Sequence, residues 1–98
     1  MNMQNLMAQA QRMQREITKK QEEIYKTKFT GESEWIKVIM TGDKKIEKID
    51  ILYSGDLNEE REMLEDMIVL AINDALKKIE KEIDSKLGVY SKQLGGLM

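Results

Sequence analysis

Four basic residues near the start of the chain, Arg12, Arg15, Lys19 and Lys26, recur at spacings that place them on one side of a helix. At about 100° per residue they form a single stripe, well away from the apolar positions of the same segment. Such a stripe could neutralise successive phosphates of a nucleic acid, and two stripes in a dimer could grip one duplex. The spacing leaves an alternative open, in which these are ordinary solvated side chains, several of them paired with Glu four positions away.

A second basic group, Lys77, Lys78 and Lys81, faces away from the apolar side of a later helix. Acidic residues are interleaved with these lysines, which favours a solvated helix end whose charges complement the helix dipole. If two such helix ends converge in a dimer, however, the lysines would enlarge a DNA-binding surface. We therefore include them with the first group as candidate DNA contacts.

The charges are unevenly distributed along a chain of 98 residues whose net charge is −2. Residues 1–30 contain six Lys or Arg and three Glu, a balance of +3, whereas residues 56–87 contain ten acids and five bases, a balance of −5. No cluster of Asn, Gln or Arg resembles the base-reading surface of a recognition helix. Phosphate contact and DNA shape are therefore more plausible than direct readout of bases.

Catalytic chemistry has little support in this composition, because the sequence has no His and no Cys. The commonest general base, the commonest transition-metal ligand and a thiolate nucleophile are thereby removed, and no phosphate loop is present. We predict no enzyme activity, no catalytic residues, no cofactor and no small-molecule substrate. Carboxylates suit a hard cation, but no metal site is predicted because the acidic group lacks an EF-hand loop; this group is Glu59, Glu60, Glu62, Glu65 and Asp66.

The expected location is the cytoplasm. No apolar run approaches the ~20 residues needed to span a bilayer, and the first residues lack the basic and apolar regions of a signal peptide. The absence of cysteine suits a reducing compartment. We expect a soluble protein with no membrane partner.

The first element is predicted to be a long helix from about Asn2 to Lys26. Its apolar residues step by three and four positions along one narrow seam, which indicates packing against another helix. The seam consists of Met3, Leu6, Ala10, Met13, Ile17 and Ile24, and Lys20 interrupts it. Lys20 could set the register, mark the point where the helix leaves the core, or extend its charged end into solvent.

Three antiparallel strands follow, predicted at Thr27–Glu32, Trp35–Met40 and Lys45–Ile51, with a turn at Thr41–Lys44. A three-stranded sheet needs a layer over one face, which the helices supply. Trp35 is expected to pack in the sheet rather than to stack on a base.

The last helix is predicted to start near Asp56 or Asn58, either of which can cap it, and to end at about Leu87 before Gly88. The fold class is therefore α+β, with an α-β-β-β-α domain over residues 1–88 and a flexible tail over 89–98. Within this helix, Asp74 is expected to be solvated and Asn73 to hydrogen-bond across the helix–sheet interface.

Several segments together resemble the YbaB/EbfC family of bacterial nucleoid-associated proteins. The match is strongest at Met63–Lys78, and the opening helix, the Lys37–Met40 and Ile49–Ile51 strands and the closing Leu94–Met98 are also similar. The resemblance implies a homodimer whose helices project like the arms of tweezers. It also implies DNA binding in the nucleoid with little or variable sequence preference, and effects on nucleoid organisation and gene expression.

The leading hypothesis is thus a homodimer that binds double-stranded DNA through backbone phosphates. The alternative is a protein-interaction module that does not bind DNA, in which the exposed helix ends and Met-rich segments dock another protein.

Overall fold

The structure, a computed structural model, describes residues 2–95 of the chain, with side chains described as far as Tyr90. Helix α1 spans Met3–Lys26, and strands β1, β2 and β3 span Lys28–Glu32, Ile36–Thr41 and Ile46–Ile51. Helix α2 spans Arg61–Gly95. The predicted α+β class and the α-β-β-β-α order are confirmed.

The strands form one antiparallel sheet in the order β1-β2-β3. Val38, at the centre of β2, lies opposite Gly31 on β1 and Ile49 on β3. Along β2 the buried residues Ile36, Val38 and Met40 alternate with partly exposed ones, because successive strand side chains point to opposite faces. One face of the sheet is therefore apolar and packs against α2.

Helix α2 crosses β1 and β2 closely because small residues lie at the crossing. A Cβ built on Gly31 would lie 2.1 Å from the carbonyl oxygen of Ala71 and 2.7 Å from the Cβ of Ala75, so only glycine permits this approach. Few side chains in the described part of the chain are fully enclosed. The buried apolar residues are Ile24, Ile36, Val38, Met40, Ala71, Ala75 and Ile79.

Two side chains of α2 cover the free edge of β1. Asp74 Oδ2 accepts from the Glu32 backbone N–H at 2.9 Å, and Lys78 Nζ donates to the Thr30 carbonyl oxygen at 2.6 Å. The Glu32 hydrogen bond, helped by Lys78, lowers the pKa of Asp74 below its ordinary value of 3.8. This cover protects β1 from pairing with another strand. Asn73 was expected to hydrogen-bond across the helix–sheet interface and Asp74 to be solvated. Both expectations were wrong, because Asp74 makes the interface hydrogen bond and Asn73 is exposed.

Beyond the sheet, α2 continues and packs against α1 on the same side as the sheet. Glu82 and Lys86 share a cleft with Lys20 and Ile24, and Tyr90 reaches an earlier residue of α1, so the helices run antiparallel. The molecule measures 70 × 23 × 14 Å, and its radius of gyration is 19.5 Å against about 13 Å for a compact domain of this length. The two helices thus form an arm that projects from the sheet.

The predicted end of the last helix at Leu87 was wrong, because α2 continues to Gly95. Gly88 does not adopt the positive φ of a helix stop, and contacts of Tyr90 with α1 hold the following turn. No boundary between elements therefore lies at residue 88. Flexibility of the tail stays a prediction, and residues 96–98 lie outside the described part of the chain.

The start of α2 also differs from the prediction. Asp56 Oδ1 accepts from the Asn58 backbone N–H at 2.9 Å within a turn, and the helix begins at Arg61. Within residues 2–95, neither helix contains a stretch apolar and long enough to cross a bilayer.

Candidate nucleic-acid interface

The basic stripe of α1 lies on the outer side of the arm. Its four residues are exposed, whereas Ile17 and Ile24 on the opposite side of the helix face α2. At about 1.5 Å per residue, the stripe from Arg12 to Lys26 is roughly 21 Å long. No carboxylate in the described part of the chain forms a salt bridge with Arg12, Arg15, Lys19 or Lys26. The i,i+4 pairing with Glu that the solvated alternative expected is therefore not formed here.

The acidic residues of α1 leave the first part of this stripe clear. Glu16 points toward α2, where its Oε2 accepts a hydrogen bond of 3.3 Å from the Tyr90 hydroxyl. Glu22 is the first acid on the outer side of the helix, by its wheel position. The outer face from Arg12 to Lys19 therefore carries positive charge only.

The second basic group is divided by the structure. Lys78 is held by Thr30 and forms an ion pair of 3.3 Å with Asp74, so its ammonium contributes to the fold. Lys77 and Lys81 are exposed on the outer side of α2. Because α2 continues to Gly95, the interpretation of these lysines as a helix end was wrong.

The two basic groups do not share one surface of the single chain. The α1 stripe points away from α2, and Lys77 and Lys81 point away from the layer formed by the sheet and α1. A duplex lying along the α1 stripe of one chain would therefore face a different surface from the one that carries these two lysines.

An acidic surface occupies the other end of the molecule. Residues 56–66 contain six acids and one Arg, and they lie at the start of a helix roughly 50 Å long whose other end is in the arm. In the described part of the chain, no three carboxylates converge closely enough to hold a metal ion. The basic and acidic surfaces are separated along the long axis, so the arm is the part suited to a polyanion.

Two side chains at the α1–α2 contact explain the interruption of the apolar seam. Lys20 Nζ lies 5.0 Å from the centre of the Tyr90 ring, a cation–π contact, so Lys20 keeps its charge while its stem covers apolar surface. Tyr90 was missed in the sequence because it follows Gly88, which was interpreted as a helix stop. The spacing of Ile83, Leu87 and Tyr90 is the signal that could have found it.

Trp35 has the packing role that was expected. Its ring stacks on Tyr53 with centroids 4.0 Å apart, and it contacts the cluster of Ile36, Val38 and Ala71. One face of the indole is thus occupied.

Comparisons with known proteins agree with these features. A model of the YbaB/EbfC DNA-binding family matches residues 1–94. A nucleoid-associated protein of Enterococcus faecalis is 39% identical over 99 residues, covering 97% of this chain and 93% of the relative. One from Lactococcus lactis subsp. lactis is 42% identical over 96 residues, covering 96% of this chain and 97% of the relative. A third, from Streptococcus pneumoniae, is 40% identical over 96 residues with the same coverage.

Proposed function

The chain belongs to the YbaB/EbfC DNA-binding family, and we propose that it binds duplex DNA in the bacterial nucleoid as a homodimer. Its relatives carry the name of nucleoid-associated proteins, which supports this location. Contact is mainly with backbone phosphates and has little sequence specificity, so binding would affect nucleoid organisation and gene expression broadly. The partners are DNA and a second copy of the chain, with no catalytic step.

The observation that carries the proposal is the acid-free basic face from Arg12 to Lys19 on a projecting arm. Three positive side chains within two helical turns can each meet a phosphate, and the arm holds them away from the acidic end of the molecule. Lys26 extends this surface beyond Glu22. Lys77 and Lys81 would contribute only if the second copy brings them beside another chain's stripe, and Lys78 contributes least because it is bonded to Thr30.

The homodimer is supported by apolar surface that one chain leaves uncovered. In the described residues, α2 packs on β1 and β2 but not on β3. Ile49 and Ile51 lie opposite the buried residues Val38 and Ile36, so they point to the helix-facing side of the sheet. They are nevertheless 40% and 46% exposed, because no helix lies over them.

Helix α2 carries matching apolar surface, since Val69 and Leu70 are 55% and 54% exposed. Exposed apolar patches of this kind usually mark an interface. If α2 of each chain packs over β3 of the other, both surfaces are buried by one two-fold contact. This arrangement completes a core that is small in the single chain.

The proposal is tested by fluorescence anisotropy with two labelled duplexes of unrelated sequence, at several salt concentrations. We expect similar affinities for both duplexes, with log K falling linearly with log salt by about 0.9 for each phosphate contact. A strong preference for one duplex would contradict the phosphate mechanism. Absence of binding even at low salt would instead support the protein-interaction module, for which the exposed apolar residues of α1 and α2 would be the docking surface.

A further inference from the structure

The turn between β2 and β3 holds one lysine in a strained backbone conformation. Lys44 has a φ of 66°, the only positive φ in the part of the chain that the structure describes. Its N–H donates to the Thr41 carbonyl oxygen at 2.8 Å, and the Thr41 N–H donates to the Lys45 carbonyl oxygen at 2.9 Å. These bonds define a three-residue hairpin loop whose left-handed position is normally glycine. A lysine there costs stability, and such strain is concentrated where a residue has a functional task.

This turn is fixed against the last turn of α1. No Cβ fits on Gly42, because it would collide with the carbonyl group of Ile24, so the two backbones are in direct contact. Tyr25 lines one cleft together with Lys44, which places the lysine on that flank of the helix. Lys26, the last residue of the basic stripe, follows Tyr25 at about 100° around the helix. Lys44 therefore lies beside the end of the stripe, where the arm joins the sheet.

The lysines at this junction differ in whether a carboxylate already pairs with them. The junction carries four of them, Lys26, Lys28, Lys44 and Lys45. Lys28 forms an ion pair of 3.3 Å with Glu47, and Lys45 forms one of 3.6 Å with Asp43. In the described residues no carboxylate forms a salt bridge with Lys26 or Lys44, and both side chains are exposed. Their two charges are available to phosphates.

We propose that Lys44 contacts a phosphate of the duplex that lies along the α1 stripe, so that the DNA surface continues from the arm onto the β2–β3 turn. The inference rests on the DNA binding proposed above and adds to it a residue outside the arm. The turn has a fixed backbone that is held against α1, so the lysine is placed before DNA binds and less order is lost on binding. The strain at Lys44 is then the cost of a charge at this point of the surface.

Salt-dependent anisotropy and thermal unfolding of the same variants separate the charge of Lys44 from its backbone strain. Lys44→Gln removes the charge and keeps the strain, so the slope of log K against log salt should become shallower by about 2 for a homodimer, with an unchanged Tm. Lys44→Gly should show the same loss of slope together with a Tm about 2–5 °C higher, because glycine adopts positive φ without steric cost. Lys44→Arg should keep both the wild-type slope and the wild-type Tm.

The matched control is Lys48→Gln, which removes an exposed lysine already paired with Asp50 at 3.4 Å and should keep the wild-type slope. A wild-type slope in Lys44→Gln, or an equal loss in Lys48→Gln, would overturn the proposal. A Tm of Lys44→Gly below that of the wild type would also overturn it, because Lys44 would then support the fold. Wild-type protein that binds no DNA would overturn the proposed function as well, whereas steep salt dependence that Lys44→Gln leaves unchanged would overturn this inference alone.

Discussion

Replacing Gly31 with Ala should strongly destabilise the protein, whereas the same change at Gly88 should stabilise it. A Cβ on Gly31 would lie 2.1 Å from Ala71 O, 2.6 Å from Ala75 N and 2.7 Å from Ala75 Cβ. Ordinary contacts of this kind begin near 3.4 Å, so α2 would have to move away from β1 by about 1 Å. The atoms that would clash belong mostly to helix backbone, so no side-chain rotation relieves the contact.

Overpacking of a core costs about 1–3 kcal/mol and occasionally more, and backbone obstruction places Gly31→Ala at the upper end, about 3 kcal/mol. At roughly 4–8 °C per kcal/mol for a domain of this size, the Tm should fall by about 15 °C. Gly88 is helical and a Cβ there meets no atom within 4 Å. Gly88→Ala should therefore gain about 0.5–1 kcal/mol from helix propensity and a less flexible unfolded chain.

The assay is urea unfolding, monitored by circular dichroism and by the fluorescence of Trp35, which packs on the core beneath α2. All variants must be compared at one protein concentration, because dimerisation would add to the apparent stability. Equal midpoints for Gly31→Ala and Gly88→Ala would refute the reasoning. A changed slope of unfolding free energy against urea concentration in Gly31→Ala would also refute the reasoning, because it would show that compactness rather than packing has changed.

Three further changes test other contacts. Asp74→Ala should cost about 1 kcal/mol at neutral pH, because the Glu32 N–H loses an acceptor that is partly exposed. The pKa of Asp74 is lowered on folding, so its contribution to the free energy of unfolding is present above about pH 4 and is lost as the pH falls through the folded pKa. The urea midpoints of the wild type and the Asp74→Ala variant should therefore converge in acid. Ile49→Asp should give a smaller mass by light scattering, because it places a charge in the proposed interface, and an unchanged mass would argue against it. Tyr90→Ala should increase hydrogen exchange in α1, whereas Tyr90→Phe, which keeps the ring under Lys20, should change it little.

The elements of this fold are predictable because their hydrophobic periods differ. Steps of three and four in α1 and alternation in β2 each correspond to one local geometry, so the order and the approximate bounds follow from the sequence. The end of α2 does not follow from the sequence. Gly88 is a local stop signal, and Tyr90 overrides it through contact with a distant part of the chain.

Side-chain roles at the edge of the sheet were also inaccessible to the sequence. Asn73 and Asp74 are adjacent, and about 100° of rotation decides which one meets β1. Neither Asn73 nor Asp74 sets that rotation. It is set by the place where the helix crosses the strands, at Gly31 and Ala75. Lys78 belongs to the same contact, and its hydrogen bond to the Thr30 carbonyl oxygen likewise depends on where the helix crosses β1.

The central claim, that the arm binds DNA phosphates, is tested most directly by salt-dependent anisotropy of a charge-removing variant. Arg12→Gln, Arg15→Gln and Lys19→Gln together remove three charges per chain from the acid-free face while keeping helix-forming side chains. In a homodimer that is six contacts, so the slope of log K against log salt should become shallower by about 5, equally for unrelated duplexes. The control removes the same charge from exposed lysines of the sheet region, Lys28→Gln, Lys45→Gln and Lys48→Gln, and should keep the wild-type slope. A wild-type slope in the arm variant, or an equal loss in the control, would contradict the account.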